Sequence, residues 1–216
     1  MTTKKNNITT YISFILDKSG SMDSIRKDTI GGFNRYLKDL QKQKGKILFT
    51  LTIFDNYSKR LFTNMNVKEV KPLNEETYQP NSSTALYDAV VTTTEEVAKE
   101  VSKMEGKVKV LTVVLTDGEE NASTKHDQNC FRDLIKELEA KDNYTFVYLG
   151  ANQDSWDNAS GVGYSRGNVA DWSATSRGVQ NAFMSLSVNT VAYSASSDMS
   201  VKSFNSLADK TKGGIK

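Results

Sequence analysis

Two apolar runs constrain this chain more than any other feature: Tyr11–Leu16 and Val108–Thr116. Both have strand length, are rich in β-branched and aromatic residues, and lack the 3.6-residue period of a helix. The second is dense enough for the centre of a sheet covered on both faces. Each runs straight into an aspartate, Asp17 or Asp117. Between and after them, strand-like and helix-like segments alternate. Ile25, Thr29, Phe33, Tyr36, Leu37 and Leu40 share a helical face, which Gly31-Gly32 weakens locally. Ile47–Phe54 and Lys59–Phe62 read as strands around a tight Asp55-Asn56 turn. Leu86, Ala89, Val90, Val97, Val101 and Met104 form a second helical stripe, and Phe131, Leu134, Ile135 and Leu138 a third, followed by a strand over Tyr144–Leu149.

This alternation implies an α/β fold: a doubly wound, mainly parallel central sheet with one antiparallel edge strand and helices on both faces. Beyond Gly150 the pattern weakens. Helical segments are expected near Asp154–Ala159 and Ser176–Leu186, flanking a weak edge strand at Asn168–Trp172. One domain is expected over residues 8–195, with flexible termini at 1–7 and 200–216. No internal repeat or linker divides it.

Composition excludes several partners. Lys and Arg total 28 against 26 Asp and Glu, a net charge of +2, and the cations are scattered, so no electrostatic footprint for nucleic acid exists. No apolar run is long enough to span a bilayer, and the stretch MTTKKNNITTY has no apolar leader core. The single cysteine, Cys130, cannot form an internal disulfide and is expected to be a buried helix residue. A cytoplasmic, monomeric protein is the expectation.

Three loops at one edge of the expected sheet carry oxygen donors: Asp17, Ser19 and Ser21 after the first strand, Thr84 before a helix, and Asp117 after the strand ending at Thr116. In open α/β sheets, ligands bind at the carboxyl ends of the strands. Oxygen-only donors suit a hard cation such as Mg²⁺ or Mn²⁺. Taken singly, Asp-x-Ser-x-Ser can equally be a helix cap or an Asx turn, Thr84 a cap and Asp117-Gly118 a turn. Together, in this order and after these strands, they point to a cation site.

Asp17-Lys18-Ser19-Gly20-Ser21, Thr84 within Ser83-Thr84-Ala85-Leu86-Tyr87-Asp88-Ala89, and Thr116-Asp117-Gly118 together resemble the von Willebrand factor type A domain, the integrin I-like fold, and its metal-ion-dependent adhesion site. The resemblance covers roughly Ile8–Ala195 and is closest to small stand-alone bacterial and phage versions. It implies that the hydroxyls of Ser19, Ser21 and Thr84 bind the metal directly, while Asp17 and Asp117 act largely through water. A cation held by neutral ligands stays short of negative charge and takes a Glu or Asp carboxylate from a protein partner. The resemblance thus implies a protein-binding module and not an enzyme. The alternative it leaves open is a regulatory subunit of an AAA+ ATPase or chelatase-type complex.

Other signals weigh less. Gly163-Tyr164-Ser165-Arg166-Gly167 matches a nucleophile elbow as a string, but no strand precedes it and the only histidine, His126, lies upstream. A phosphotransferase that begins with an aspartate after a strand needs a second acid two residues on, where Ser19 stands. Met22, Asp23, Asp55-Asn56, Glu119-Glu120-Asn121, His126 and Asn152-Gln153-Asp154 lie near the expected metal face and are weaker candidates for partner contact. Trp156 and Trp172 read as packing residues.

Overall fold

A computed structural model describes residues 8–151 and 164–209. The chain forms β1 (Ile8–Asp17), α1 (Arg26–Gln41), β2 (Ile47–Phe54), β3 (Ser58–Asn66), α2 (Leu86–Val101) and β4 (Lys107–Thr116). These are followed by α3 (Gln128–Glu139), β5 (Tyr144–Ala151), β6 (Val169–Trp172) and α4 (Ser176–Ala195). The six strands lie in the order β3-β2-β1-β4-β5-β6, all parallel except β3, which pairs antiparallel with β2. The strand order reverses between β1 and β4, so the crevice at their carboxyl ends is the switch point of the sheet.

Alternation along the strands builds two cores. In β1, Ile12, Phe14 and Leu16 face the side covered by α1 and α4, whereas Tyr11 and Ile15 face the side covered by α2 and α3. Each such buried side chain contributes about 1.5–3 kcal/mol. Phe14 meets Phe33 edge-on at 5.6 Å and stacks on Phe183 at 6.2 Å, tying β1, α1 and α4 together. Gly32 makes this possible: a Cβ there would lie 2.3 Å from the Phe183 ring. The expected face of the first helix is buried throughout, although its first turn over Gly20–Ile25 is 3-10.

Several details differ from the sequence reading. The strand expected at Lys59–Phe62 runs from Ser58 to Asn66, as an irregular, largely solvent-facing edge. The last helix extends to Ala195 because Leu186, Thr190 and Tyr193 continue its buried face. Beyond Ser200 the chain is docked as far as Asp209: Phe204 is buried, the Asn168 side chain donates to the Val201 carbonyl (2.9 Å), and the Phe204 amide donates back to Asn168 Oδ1 (2.8 Å). Cys130 is exposed, not buried, since Phe131, Ile135 and Leu138 take the inner face of α3. The elbow string fails structurally, for Arg166–Asn168 is a single 3-10 turn leading into a strand, not a helix. The segment expected as a helix at Asp154–Ala159 lies outside the described residues, as do Asn152, Gln153 and Trp156. Among the described residues no helix is long and apolar enough to cross a membrane.

Candidate metal centre

Asp17 closes β1 in register with Phe54, and Leu16 pairs with Leu115, which sets Asp17 beside Thr116 at the end of β4. Thr116 Oγ1 donates to Asp17 Oδ2 at 2.5 Å, and the Ser19 amide donates to Oδ1 at 2.6 Å. Ser19 stands at the start of the 3-10 turn from Gly20 without a side-chain capping bond, its hydroxyl 3.2 Å from that of Ser21. Ser21 Oγ in turn donates to Asp117 Oδ1 at 2.6 Å.

The third part of the site arrives from the loop before α2. The Gly20 amide donates to the Ser82 carbonyl (2.9 Å) and the Asn81 amide to the Lys18 carbonyl (2.8 Å), which lace that loop to the Asp17–Ser21 loop. Thr84 is buried and held by Asn121 from the far side, its amide donating to Asn121 Oδ1 (2.8 Å) and its carbonyl accepting from the Asn121 amide (3.0 Å). Gly118 shows where these loops converge. A Cβ on it would lie 3.0 Å from Thr84 Oγ1 and 3.7 Å from each of Ser19 Oγ and Ser21 Oγ. All five residues singled out in the sequence therefore surround one small space.

Electrostatics favour a cation in that space. Burial pushes the Asp17 carboxyl up to about 6, partly offset by the hydrogen bonds from Thr116 and Ser19, and neighbouring Asp117 raises it further. Burial also raises Asp117, against the pull of its Ser21 bond. Buried Asp17 and half-buried Asp117, facing one space, destabilise each other's charge until an opposite charge enters. Three hydroxyls and two carboxylates form an oxygen-only set that suits a hard divalent ion. Among the described residues no group of three or more His, Cys, Asp or Glu could hold a metal ion.

Several supporting residues escaped the sequence reading. Tyr78 is fully buried and its hydroxyl donates to the Asp17 carbonyl at 2.6 Å. It lies in the polar stretch between β3 and α2, which has no periodicity to signal burial. Glu120 and Asn121 are structural rather than free for a partner. Glu120 accepts from the Tyr87 amide (2.9 Å) and Ser123 Oγ accepts from the Asp88 amide (3.0 Å), capping α2 from a loop more than thirty residues away. Asp88 answers by accepting from the amides of Thr124 (2.9 Å) and His126 (2.8 Å). Met22 is core, while Asp23 and Glu119 remain exposed.

These features define a class: a doubly wound α/β domain with a hydroxyl-and-carboxylate cluster at its switch point. Residues 12–182 match the model of the von Willebrand factor type A domain, and the chain belongs to that family. Solved structures agree on the fold. The PilB minor pilin of Streptococcus sanguinis superposes with a TM-score of 0.64 at 13% identity, over 87% of this chain and 62% of that one. Proximal thread matrix protein 1 of the mussel byssus, in a form with a zinc-occupied MIDAS motif, gives 0.57 at 16% identity, over 82% and 44%. The manganese-loaded TRAP protein of Plasmodium vivax gives 0.56 at 16%, over 82% and 73%. At such identities the likeness is one of fold, and this chain spans less than half the length of the mussel protein. No curated protein sequence matches the chain.

Proposed function

We propose that this domain is a metal-dependent protein-binding module. Ser19, Ser21 and Thr84 hold Mg²⁺ or Mn²⁺ through their hydroxyls, and Asp17 and Asp117 support it from behind. The observation that carries this reading is the space in front of Gly118, bounded by three neutral oxygens while both acids are engaged by hydrogen bonds from Thr116, Ser19 and Ser21. A bound divalent ion would supply a Lewis-acidic position for an incoming carboxylate. Each side chain's task is binding: Thr116 and the Ser19 amide fix the Asp17 carboxylate, Ser21 fixes Asp117, and Asn121 fixes the Thr84 backbone. The acceptor is the Glu or Asp side chain of a protein partner. That metal-bearing relatives of the same fold exist supports the assignment.

Calorimetry with Mg²⁺ tests the site. Asp17→Ala and Ser21→Ala should each weaken binding at least about tenfold, the loss of one charge-assisted bond. Ser21 is exposed, so its variant keeps the test sound if the buried Asp17 change impairs folding. Mg²⁺ affinity unchanged in Ser21→Ala would overturn the assignment.

A further inference from the structure

Among the described residues the most exposed large hydrophobic side chain is Tyr57, with 81% of its surface open to solvent; the other two, Met184 and Val188, sit far off on α4. Single exposed aromatics are ordinary. Tyr57 is distinguished by where and how firmly it is held. It precedes Ser58, the register partner of Phe54, which is in turn the partner of Asp17, so two strand spacings, roughly 10 Å, separate this hairpin from the end of β1. Its amide donates to Asp55 Oδ1 (3.0 Å) and its carbonyl accepts from the Asp55 amide (3.1 Å), a closed turn. That turn is bonded to both neighbouring loops of the site. The Lys18 ammonium pairs with Asp55, the Ser83 amide donates to Asn56 Oδ1 (2.9 Å), and the Ala85 amide donates to the Asp55 carbonyl (2.9 Å).

The surroundings have a direction. Between Tyr57 and the hydroxyl cluster the exposed residues are Asn56, Asn81, Ser82 and Ser83, all neutral; Lys18 is paired with Asp55, and the exposed Lys59 follows Tyr57 on β3. The exposed acids Asp23 and Glu119 lie on the α1 and β4 sides instead. A segment delivering a carboxylate is repelled from those acids and can run without charge penalty over the neutral strip towards Tyr57. Ser82 holds this strip in place at φ 65°, a left-handed conformation kept by its carbonyl's bond to the Gly20 amide.

We propose that Tyr57 is the apolar subsite of the partner-binding face, receiving a nonpolar side chain of the same protein segment whose carboxylate is held at the metal. This rests on the metal-binding reading above and names the partner class: an extended acidic segment with an apolar residue about three positions from the acid, since 10 Å spans about three extended residues. A rigid aromatic offers large contact area at small entropic cost, and such anchors dominate interface energies.

Short synthetic peptides with one central Glu provide the probe, each carrying Phe or Ser about three positions away, and fluorescence anisotropy the readout. In Mg²⁺, the Phe peptide should bind wild type about tenfold more tightly than the Ser peptide, the scale of a well-packed aromatic contact. Tyr57→Ala should abolish that preference, and Tyr57→Phe should retain it. Mg²⁺ affinity and thermal stability should be unchanged in both variants, as expected for an exposed site. A Phe preference that survives Tyr57→Ala, or no preference in wild type while Glu peptides still bind only in Mg²⁺, overturns the subsite alone. If no peptide binds in a Mg²⁺- and Glu-dependent manner, the metal reading falls and the subsite falls with it.

Discussion

A Cβ at Gly118 would sit 3.0 Å from Thr84 Oγ1 in the space the three hydroxyls enclose, yet the backbone there does not require glycine, since its φ is outside the left-handed region. Gly118→Ala therefore separates space from strain. It should reduce Mg²⁺ affinity at least about tenfold while shifting metal-free stability by less than about 1 kcal/mol. Calorimetry and thermal melts in EDTA check both halves; full affinity in Gly118→Ala would move the cation away from this space. At this scale the sequence reveals which oxygen-bearing side chains converge but not their supports. Asp17, Ser19, Ser21, Thr84 and Asp117 were legible because chemistry restricts the residue types and strand ends restrict their places. Thr116 and Tyr78 act on Asp17 from positions 99 and 61 residues away, and nothing local to either advertises that role.

Adjacent glycines in α1 carry opposite meanings that only helix packing separates. A Cβ at Gly31 meets nothing within 4 Å, whereas one at Gly32 would strike the Phe183 ring, which is itself wedged on Phe14 and cannot swing aside. Gly31→Ala should thus stabilise the protein by about 0.5–1 kcal/mol through helix propensity. Gly32→Ala should destabilise it by about 1–3 kcal/mol through overpacking between α1 and α4. Denaturant unfolding of the pair decides the matter, and equal effects of the same sign would refute this account of the contact. The strands of the central sheet were readable because both faces are buried, leaving near-continuous apolar runs. Contacts set by distant partners were not. Lys109 looks like an interruption in β4, but it is fully buried and its ammonium donates to the carbonyls of Tyr193 (2.5 Å) and Ser196 (2.7 Å), closing the end of α4. The Ser200–Asp209 segment is too short for its apolar residues to signal burial by periodicity, and its docking depends on the side chain of Asn168.

Over the whole molecule, the candidate centre couples stability, protons and metal. The Asp17 carboxyl stands at about 6, above the ordinary value of 3.8, chiefly because it is buried. Between those values the unfolded chain binds fewer protons than the folded one, so stability falls as pH rises. The contribution from Asp17 is complete below about 4 and lost as pH climbs through 6. Asp117, also raised by burial, acts in the same direction. At neutral pH the deprotonated Asp17 carboxylate lies buried beside Asp117, a repulsion that a bound divalent cation would relieve. A ligand bound only by the folded state adds about 2.7 kcal/mol at a hundred times its Kd. Below pH 6 a bound cation would have to displace a proton from Asp17, so its affinity should fall. The rise in Tm on replacing EDTA by Mg²⁺ should be small at pH 5, grow through pH 6 and level off near pH 7.5. Thermal melts across that range measure it directly. An equal Mg²⁺-induced rise at pH 5 and pH 7.5 would mean that Asp17 does not couple to the metal, whereas a rise that follows the titration ties cation binding to the carboxylate at the end of β1.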